Sequence, residues 1–569
     1  MSLHSARVSF HVRFPVRRRV TARALAWLMA MIVALVLCSA TSCRPLLAAT
    51  QPKPLLPAPP SPGATMSQYN TAVGEIVRHM LQSSDPAKGV EVATARQHLG
   101  ELRISLRMPR VPYPVRSSAG VSPTPGGIPI LAPRGDFGLP PRRIYLAAAT
   151  QGSLFEGAGI PVVIEYDTSN PAAGCFPVEG LYIAATAVLR KPAVRASSNV
   201  AELELVPTCE VADSRAGFAG KVRYGNSTWP MARDVCAHGF MLARHATALK
   251  RSAFYRMLRP LETASGKIEL GHRQQIYLLE PYDPRKIPLL MVHGLQSTPV
   301  DFVSLVNAMY LDPLVRRRYQ IWQFYYTSGT PVLANALLLR RSLDRLVSNL
   351  DPANRDMATH RIVVIGHSMG GVISHTLVCS SGNLLWQSIF KVPPEQLRGN
   401  RHDIDELHRI MTFTRNPRVV RAIFVSAPHR GSPIADSLAG ILGNLLVRLP
   451  TMLRTGFTAI AEANPQLMTP AALRFYRDGR FSSIRTLSPK STALRALAEI
   501  PPTVPFHTIV GQHHPGPKER GSDGVVPYTS SHLAGAESEL VVRGGHVTFR
   551  YPDAVREIIR ILHKEAASR

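Results

Sequence analysis

The chain has 569 residues, 45% of them hydrophobic and 18% charged, which allows two or three domains with a sizeable core and argues against disorder of the whole. Its formal net charge is +28, but seven of the positive charges are arginines in the first fifty residues, which carry no acid. The remaining arginines are dispersed, with no basic stripe interleaved with aromatics, so the balance reads as a solvated basic surface and no nucleic-acid partner is expected.

At the N-terminus, Arg13 and Arg17 to Arg19 precede an apolar run over residues 22–37, and then come Cys38 and Ala40-Thr41-Ser42-Cys43. A basic start, a short apolar run and small residues where cleavage would fall together read as an export signal over residues 1–43. The stretch around Cys43 resembles a bacterial lipoprotein box, with Ala40 where leucine is preferred. That resemblance makes Cys43 a candidate lipidation site and the cell envelope, membrane-anchored or periplasmic, the expected location. An uncleaved anchor is the alternative. Four further cysteines, Cys175, Cys209, Cys236 and Cys379, are too few and too widely spaced for a disulfide scaffold or a metal ligand set, although one pair among the first three is possible in an oxidising compartment.

Residues 44–65 form a linker, with six prolines between positions 51 and 63. A helix is expected over 66–81, and a proline- and glycine-rich wrapping loop over 109–141. Periodicity of two then predicts strands over 144–148, 160–166, 181–189 and 200–206, closed by a helical stretch over 232–257. Residues 66–267 thus read as a smaller accessory domain, β-rich or α+β, serving as a packing or substrate-access scaffold or as a binding module.

Beyond residue 267 strands and helices alternate, the pattern of a mainly parallel sheet with helices on both faces. Strands are expected over 276–280, 287–292, 319–326, 361–365, 421–425, 505–510 and 539–542. Chemistry in such sheets sits beyond the carboxyl ends of the strands. At one such end stands Arg361-Ile362-Val363-Val364-Ile365-Gly366-His367-Ser368-Met369-Gly370-Gly371, a β-branched run ending in G-x-S-x-G. Gly366 and Gly370 permit a sharp strand-to-helix turn that pushes the Ser368 hydroxyl out of the sheet, the form of a nucleophile elbow.

A serine hydroxyl needs a base, a group that orients the base, and donors for the oxyanion. Downstream, Gly521-Ser522-Asp523-Gly524 supplies an acid in a turn and Arg543-Gly544-Gly545-His546 a histidine after the last strand. His532 is the rival base and Asp436 the rival acid. His507 falls inside a strand, and His513 and His514 precede the acid. For the oxyanion, the N–H of Met369 follows the nucleophile, and the strand over 287–292 ends at His293-Gly294, where the turn lets the N–H of Leu295 face the site. His293 and His367 read as structural.

Residues 287–300, Gly366 to Gly371, Ala427-Pro428-His429-Arg430-Gly431-Ser432 and Ser522 to Pro527 together resemble the esterase/lipase branch of the α/β-hydrolase superfamily, especially exported, lipoprotein-like bacterial serine hydrolases. The resemblance covers about the last 300 residues. It implies an α/β-hydrolase fold with a helical cap over 268–569. It also implies Ser368 as nucleophile, Asp523 as acid, His546 as base and Leu295 and Met369 as oxyanion donors, with no metal or organic cofactor. Cap insertions are expected over 379–413, which holds Trp386 and Phe390, and over 434–475. In the second, Ile434, Leu438, Ile441, Leu442, Leu445, Leu446 and Leu449 share one helical face, either a lid over an acyl pocket or a helix packed in the core. The expected activity is serine carboxylester hydrolysis of lipase or esterase type. Phospholipase, thioesterase or acyltransferase chemistry with the same residues remains open, as does a non-catalytic lipid-anchored binding protein on the same scaffold.

Overall fold

The computed structural model describes residues 57–82, 89–108, 139–146, 154–168, 176, 181–190, 201–207, 221–234, 275–435, 451–476 and 483–568, apart from 58, 62, 296, 298 and 327–329. The expected export signal, most of the 109–141 loop, and Cys175, Cys209 and Cys236 lie outside these residues. The expected first helix is present as α1 (Met66–Met80), and Thr65 starts it. The Thr65 hydroxyl accepts from the Gln68 N–H while the Gln68 side chain accepts from the Thr65 N–H, which occupies two donors that a helix start otherwise leaves unpaired. Tyr69, Val73, Ile76, Val77 and Met80 recur at helical spacing and are buried.

The strands that follow are β1 (Val90–Glu91), β2 (Ile104–Arg107), β3 (Pro141–Leu146), β4 (Leu154–Phe155), β5 (Ile160–Tyr166), β6 (Leu181–Arg190), β7 (Ala201–Pro207), β8 (Lys221–Tyr224), β9 (Ser227–Pro230) and β10 (Arg233–Asp234), with helix α2 (Val92–Glu101) after β1. Six of them form one sheet in the order β1-β3-β5-β6-β7-β2, antiparallel except for β7 and β2. This is the β-rich N-terminal region that the alternation predicts. The helix expected over 232–257 does not begin where expected. Met231 bridges Ala158, the Ala232 N–H donates to the Ala158 carbonyl at 2.9 Å, and β10 pairs with β4. Those ladder bonds take up the backbone that a helix would need for its costly first turn. Residues 235–257 lie outside the described chain.

The second sheet holds all seven strands expected after residue 267, their ends moved by no more than two residues. They are β11 (Gln275–Leu278), β12 (Ile287–Val292), β13 (Tyr319–Tyr325), β14 (Ile362–His367), β15 (Val419–Val425), β16 (Phe506–Gln512) and β17 (Ser538–Arg543). The order is β11-β13-β12-β14-β15-β16-β17, with β11 antiparallel to β13 and every other neighbour parallel. β12 shows why a central strand is apolar throughout. Leu289 and Met291 pack with Phe302, Leu305 and Ile558 on one face, whereas Leu290 and Val292 pack with Leu339, Leu343 and Val372 on the other.

The helices that matter below are α3 (Val332–Leu350), α4 (Met369–His375), α5 (Arg401–Met411), α6 (Thr451–Ala463), α7 (Pro470–Tyr476), α8 (Thr492–Ala498) and α9 (Pro552–Ala567). In the first expected insertion Trp386 and Phe390 are buried against each other, ring centroids 4.8 Å apart, and α5 follows them. In the second, the apolar face from Leu438 to Leu449 and Asp436 lie outside the described residues. No described helix is long and apolar enough to cross a membrane.

Candidate active site

β14 delivers Ser368 at the carboxyl edge of the second sheet, and α4 begins with the next residue. Ser368 has φ 54° and ψ −128°, a left-handed backbone that a side chain adopts only at a cost on the order of 1–3 kcal/mol. The surroundings impose it. The Ser368 N–H donates to the Val425 carbonyl at 2.9 Å and the Gly371 N–H to the Ser368 carbonyl at 2.8 Å. Gly370 lies against the end of β12 so closely that a Cβ there would sit 2.2 Å from the Val292 carbonyl oxygen. Only glycine lets the turn press onto the neighbouring strand.

The structure brings the expected acid and histidine to that serine. His546 Nε2 is 2.9 Å from Ser368 Oγ, and His546 Nδ1 is 2.8 Å from Asp523 Oδ2. Asp523 is buried, and its other oxygen accepts the N–H groups of Val525 and Val526 at 2.8 and 2.7 Å. Burial alone would raise this carboxyl. The hydrogen bond and charge of His546, with the two backbone donors, outweigh it and leave the group below the ordinary carboxylate range. The carboxylate therefore stays ionised, faces Nδ1, and leaves Nε2 as the nitrogen presented to the serine.

The rivals are elsewhere. His532 binds Glu539 at 2.5 Å, and His507 lies between Arg421 and Ser538 at 2.8 and 2.7 Å. His513 and His514 pack edge to face on each other.

Of the two expected oxyanion donors, Met369 is the first, buried residue of α4, where an N–H has no partner within the helix. Leu295 follows Gly294, whose backbone passes beside the nucleophile, a Cβ on Gly294 falling 3.0 Å from Ser368 Cβ. His293 holds that loop as expected: it stacks on Tyr326 at 4.1 Å, Tyr326 Oη donates to the His293 carbonyl at 2.6 Å, and burial lowers its pKa to about 4. Cys379 is buried, and burial pushes its thiol up to about 12, which leaves it no nucleophilic role. Among the described residues no group of three or more His, Cys, Asp or Glu could hold a metal ion.

The sequence gives no sign of the residues that hold the histidine loop: Ser426 with φ 49°, Thr548 and Tyr551. Their partners are remote in the chain or depend on the tertiary fold, so no local pattern marks them. An apolar pocket, partly continuous with solvent, lies between the start of α3 and helices α5 to α8. Val332, Leu333, Leu407, Met411, Phe457 and Leu494 line it. The chain enters α3 from the end of β13. On the far side, Leu487 accepts from the Ser432 N–H at 2.9 Å, and Ser432 follows β15.

Residues 289–558 match the model of a family described as the alpha/beta hydrolase family. Among solved structures the chain is similar to a lipase of Bacillus licheniformis in mature form, with 15% identity over 51% of this chain and 98% of that one and a TM-score of 0.29. It is also similar to a lipase-esterase related protein of Clostridium acetobutylicum, with 13% identity over 51% and 99% and a TM-score of 0.25. A third is a metagenomic carboxyl esterase, with 18% identity over 50% and 77% and a TM-score of 0.27. No curated protein matches.

Proposed function

Because residues 289–558 form an α/β-hydrolase domain, we propose that this protein is a serine carboxylester hydrolase of lipase or esterase type acting on esters with an apolar acyl group. The observation that carries the reading is the continuous hydrogen-bonded line Asp523, His546, Ser368 at a left-handed elbow. Ser368 Oγ attacks the ester carbonyl while His546 Nε2 takes its proton. The imidazolium is held by the Asp523 carboxylate, and the N–H groups of Met369 and Leu295 receive the oxyanion. Collapse expels the alcohol with the proton from His546 and leaves an acyl-enzyme. Water, deprotonated by His546, then releases the carboxylic acid.

The apolar pocket between the start of α3 and helices α5 to α8 supports an acyl chain as the group bound. Phospholipase, thioesterase and acyltransferase reactions share every step up to the acyl-enzyme. They are separated by offering phospholipids, thioesters and alternative acceptor alcohols beside simple esters. The N-terminal pattern supports export, with Cys43 as the lipidated residue. The intact mass of membrane-extracted protein tests it, a mass beginning at an acylated Cys43 being expected.

The decisive experiment on the activity is Ser368→Ala. Labelling by a fluorophosphonate probe and turnover of p-nitrophenyl esters should both disappear; labelling that survives the substitution removes Ser368 as the nucleophile.

A further inference from the structure

His546 hangs from Gly544-Gly545, two residues with little backbone preference of their own, yet it must keep Nε2 at 2.9 Å from Ser368. Three side chains fix the peptide. Tyr551 Oη accepts the Gly545 N–H at 2.9 Å, and Thr548 Oγ1 donates to the Gly545 carbonyl at 3.1 Å while meeting Ser426 Oγ at 2.6 Å. The third is His367, whose Nε2 lies 2.9 Å from the His546 carbonyl oxygen. Of the three, His367 alone belongs to the elbow, next in sequence to the nucleophile. Its ring lies 5.0 Å from the His546 ring and edge-on to Phe549 at 4.9 Å, and it is 6% exposed.

We infer that His367 is a positioning residue for His546: its Nε2–H, donated to the His546 carbonyl, locks the base to the same short segment that presents the nucleophile. The carbonyl can only accept, so the ring proton sits on Nε2 and Nδ1 is bare, facing Gly294. Burial, then the charge of the neighbouring His546, bring the His367 pKa down to about 3, against the opposing pull of the hydrogen bond to the His546 carbonyl and of Asp523 and Asp301. A neutral His367 does not repel the imidazolium that His546 becomes during turnover. The two histidines thus divide the work, one exchanging protons and the other holding a single tautomer. The inference rests on reading Ser368 and His546 as nucleophile and base.

The test compares His367→Gln, which keeps an N–H at similar reach, with His367→Met, which fills similar space without a donor, and His367→Asn, whose amide falls short of the carbonyl. All are made in the full chain beside Ser368→Ala. Turnover of a soluble short-chain p-nitrophenyl ester is followed between about pH 5 and 9, with melting temperatures recorded for each protein. The methionine and asparagine variants should lose about 10- to 100-fold in kcat with KM little moved and the acid limb of the pH profile displaced. Glutamine should restore most of the rate. A folded methionine or asparagine variant with wild-type kcat and pH profile overturns the inference, as does a glutamine variant as slow as either. If Ser368→Ala itself turns over, the serine reading falls and takes the inference with it.

Discussion

At Asp523 the competition between burial and hydrogen bonding decides how the site is charged. Burial opposes the carboxylate, but His546 and the N–H groups of Val525 and Val526 together hold it below the ordinary range, so the ionised form is the favoured one. Its service to His546 is to fix which nitrogen carries the proton. Replacing it by asparagine keeps the shape and removes the charge, and an amide that presents its NH₂ to Nδ1 selects the wrong tautomer. Asp523→Asn should therefore lower kcat by about 10⁴-fold with an unaltered fold, read from ester turnover and far-UV circular dichroism. A loss of tenfold or less would mean that another group orients the base. Ser368, Asp523 and His546 were legible as candidates because each follows a strand of the second sheet, in the chain order that the resemblance implies. His367, Tyr551 and Thr548 were not, since what they do depends on a backbone carbonyl or N–H that no residue pattern advertises.

Among the elements, the seven strands of the second sheet were legible to within two residues at each end because most are buried on both faces and their runs are largely apolar. Short edge elements were not: β1, β4 and β10 have two residues each, too few for any periodicity, and they exist only through their partners. The same limit applies to the pocket wall. Nothing in the sequence of α3, read alone, distinguishes Leu333, which lines the pocket, from Leu339, which lies in the core. That difference makes Leu333 a useful probe. It is only partly buried, so a larger ring there projects into the pocket instead of overpacking the sheet. Leu333→Trp should lower kcat/KM for long-chain p-nitrophenyl esters by about tenfold or more while leaving the acetate ester unaffected. Equal losses on both, or none on either, would place the acyl chain elsewhere.

At the scale of the molecule, five histidines among the described residues are packed away from water: His293, His367, His375, His429 and His507. In each, burial comes first in lowering the pKa, to about 4 for His293, His375 and His507, to about 3 for His367, and in the same direction for His429. His375, at the end of the elbow helix, and His429 meet edge to face with ring centroids 5.2 Å apart, and neither nitrogen of His429 has a hydrogen-bond partner among the described residues. The sign of the linkage follows from these directions. Unfolded, each histidine protonates near pH 6.5, whereas folded His293, His375 and His507 stay neutral to about pH 4, His367 to about pH 3 and His429 to well below 6.5, so in that window the unfolded chain binds more protons. The stability that neutral burial contributes is complete above about pH 6.5 and is lost as the pH falls. Each group contributes a slope of up to about 1.4 kcal/mol per pH unit within the window. Urea or thermal unfolding followed from pH 8 downward should therefore show a plateau that gives way to a steep decline below about pH 6.5. His375→Gln, whose amide can still donate to the Ile500 carbonyl that His375 reaches at 2.9 Å, should remove one proton from that slope. A stability that stays flat down to about pH 5 would mean that the histidines ionise inside the fold, and that the cluster at the end of the elbow helix is wetter than its packing implies.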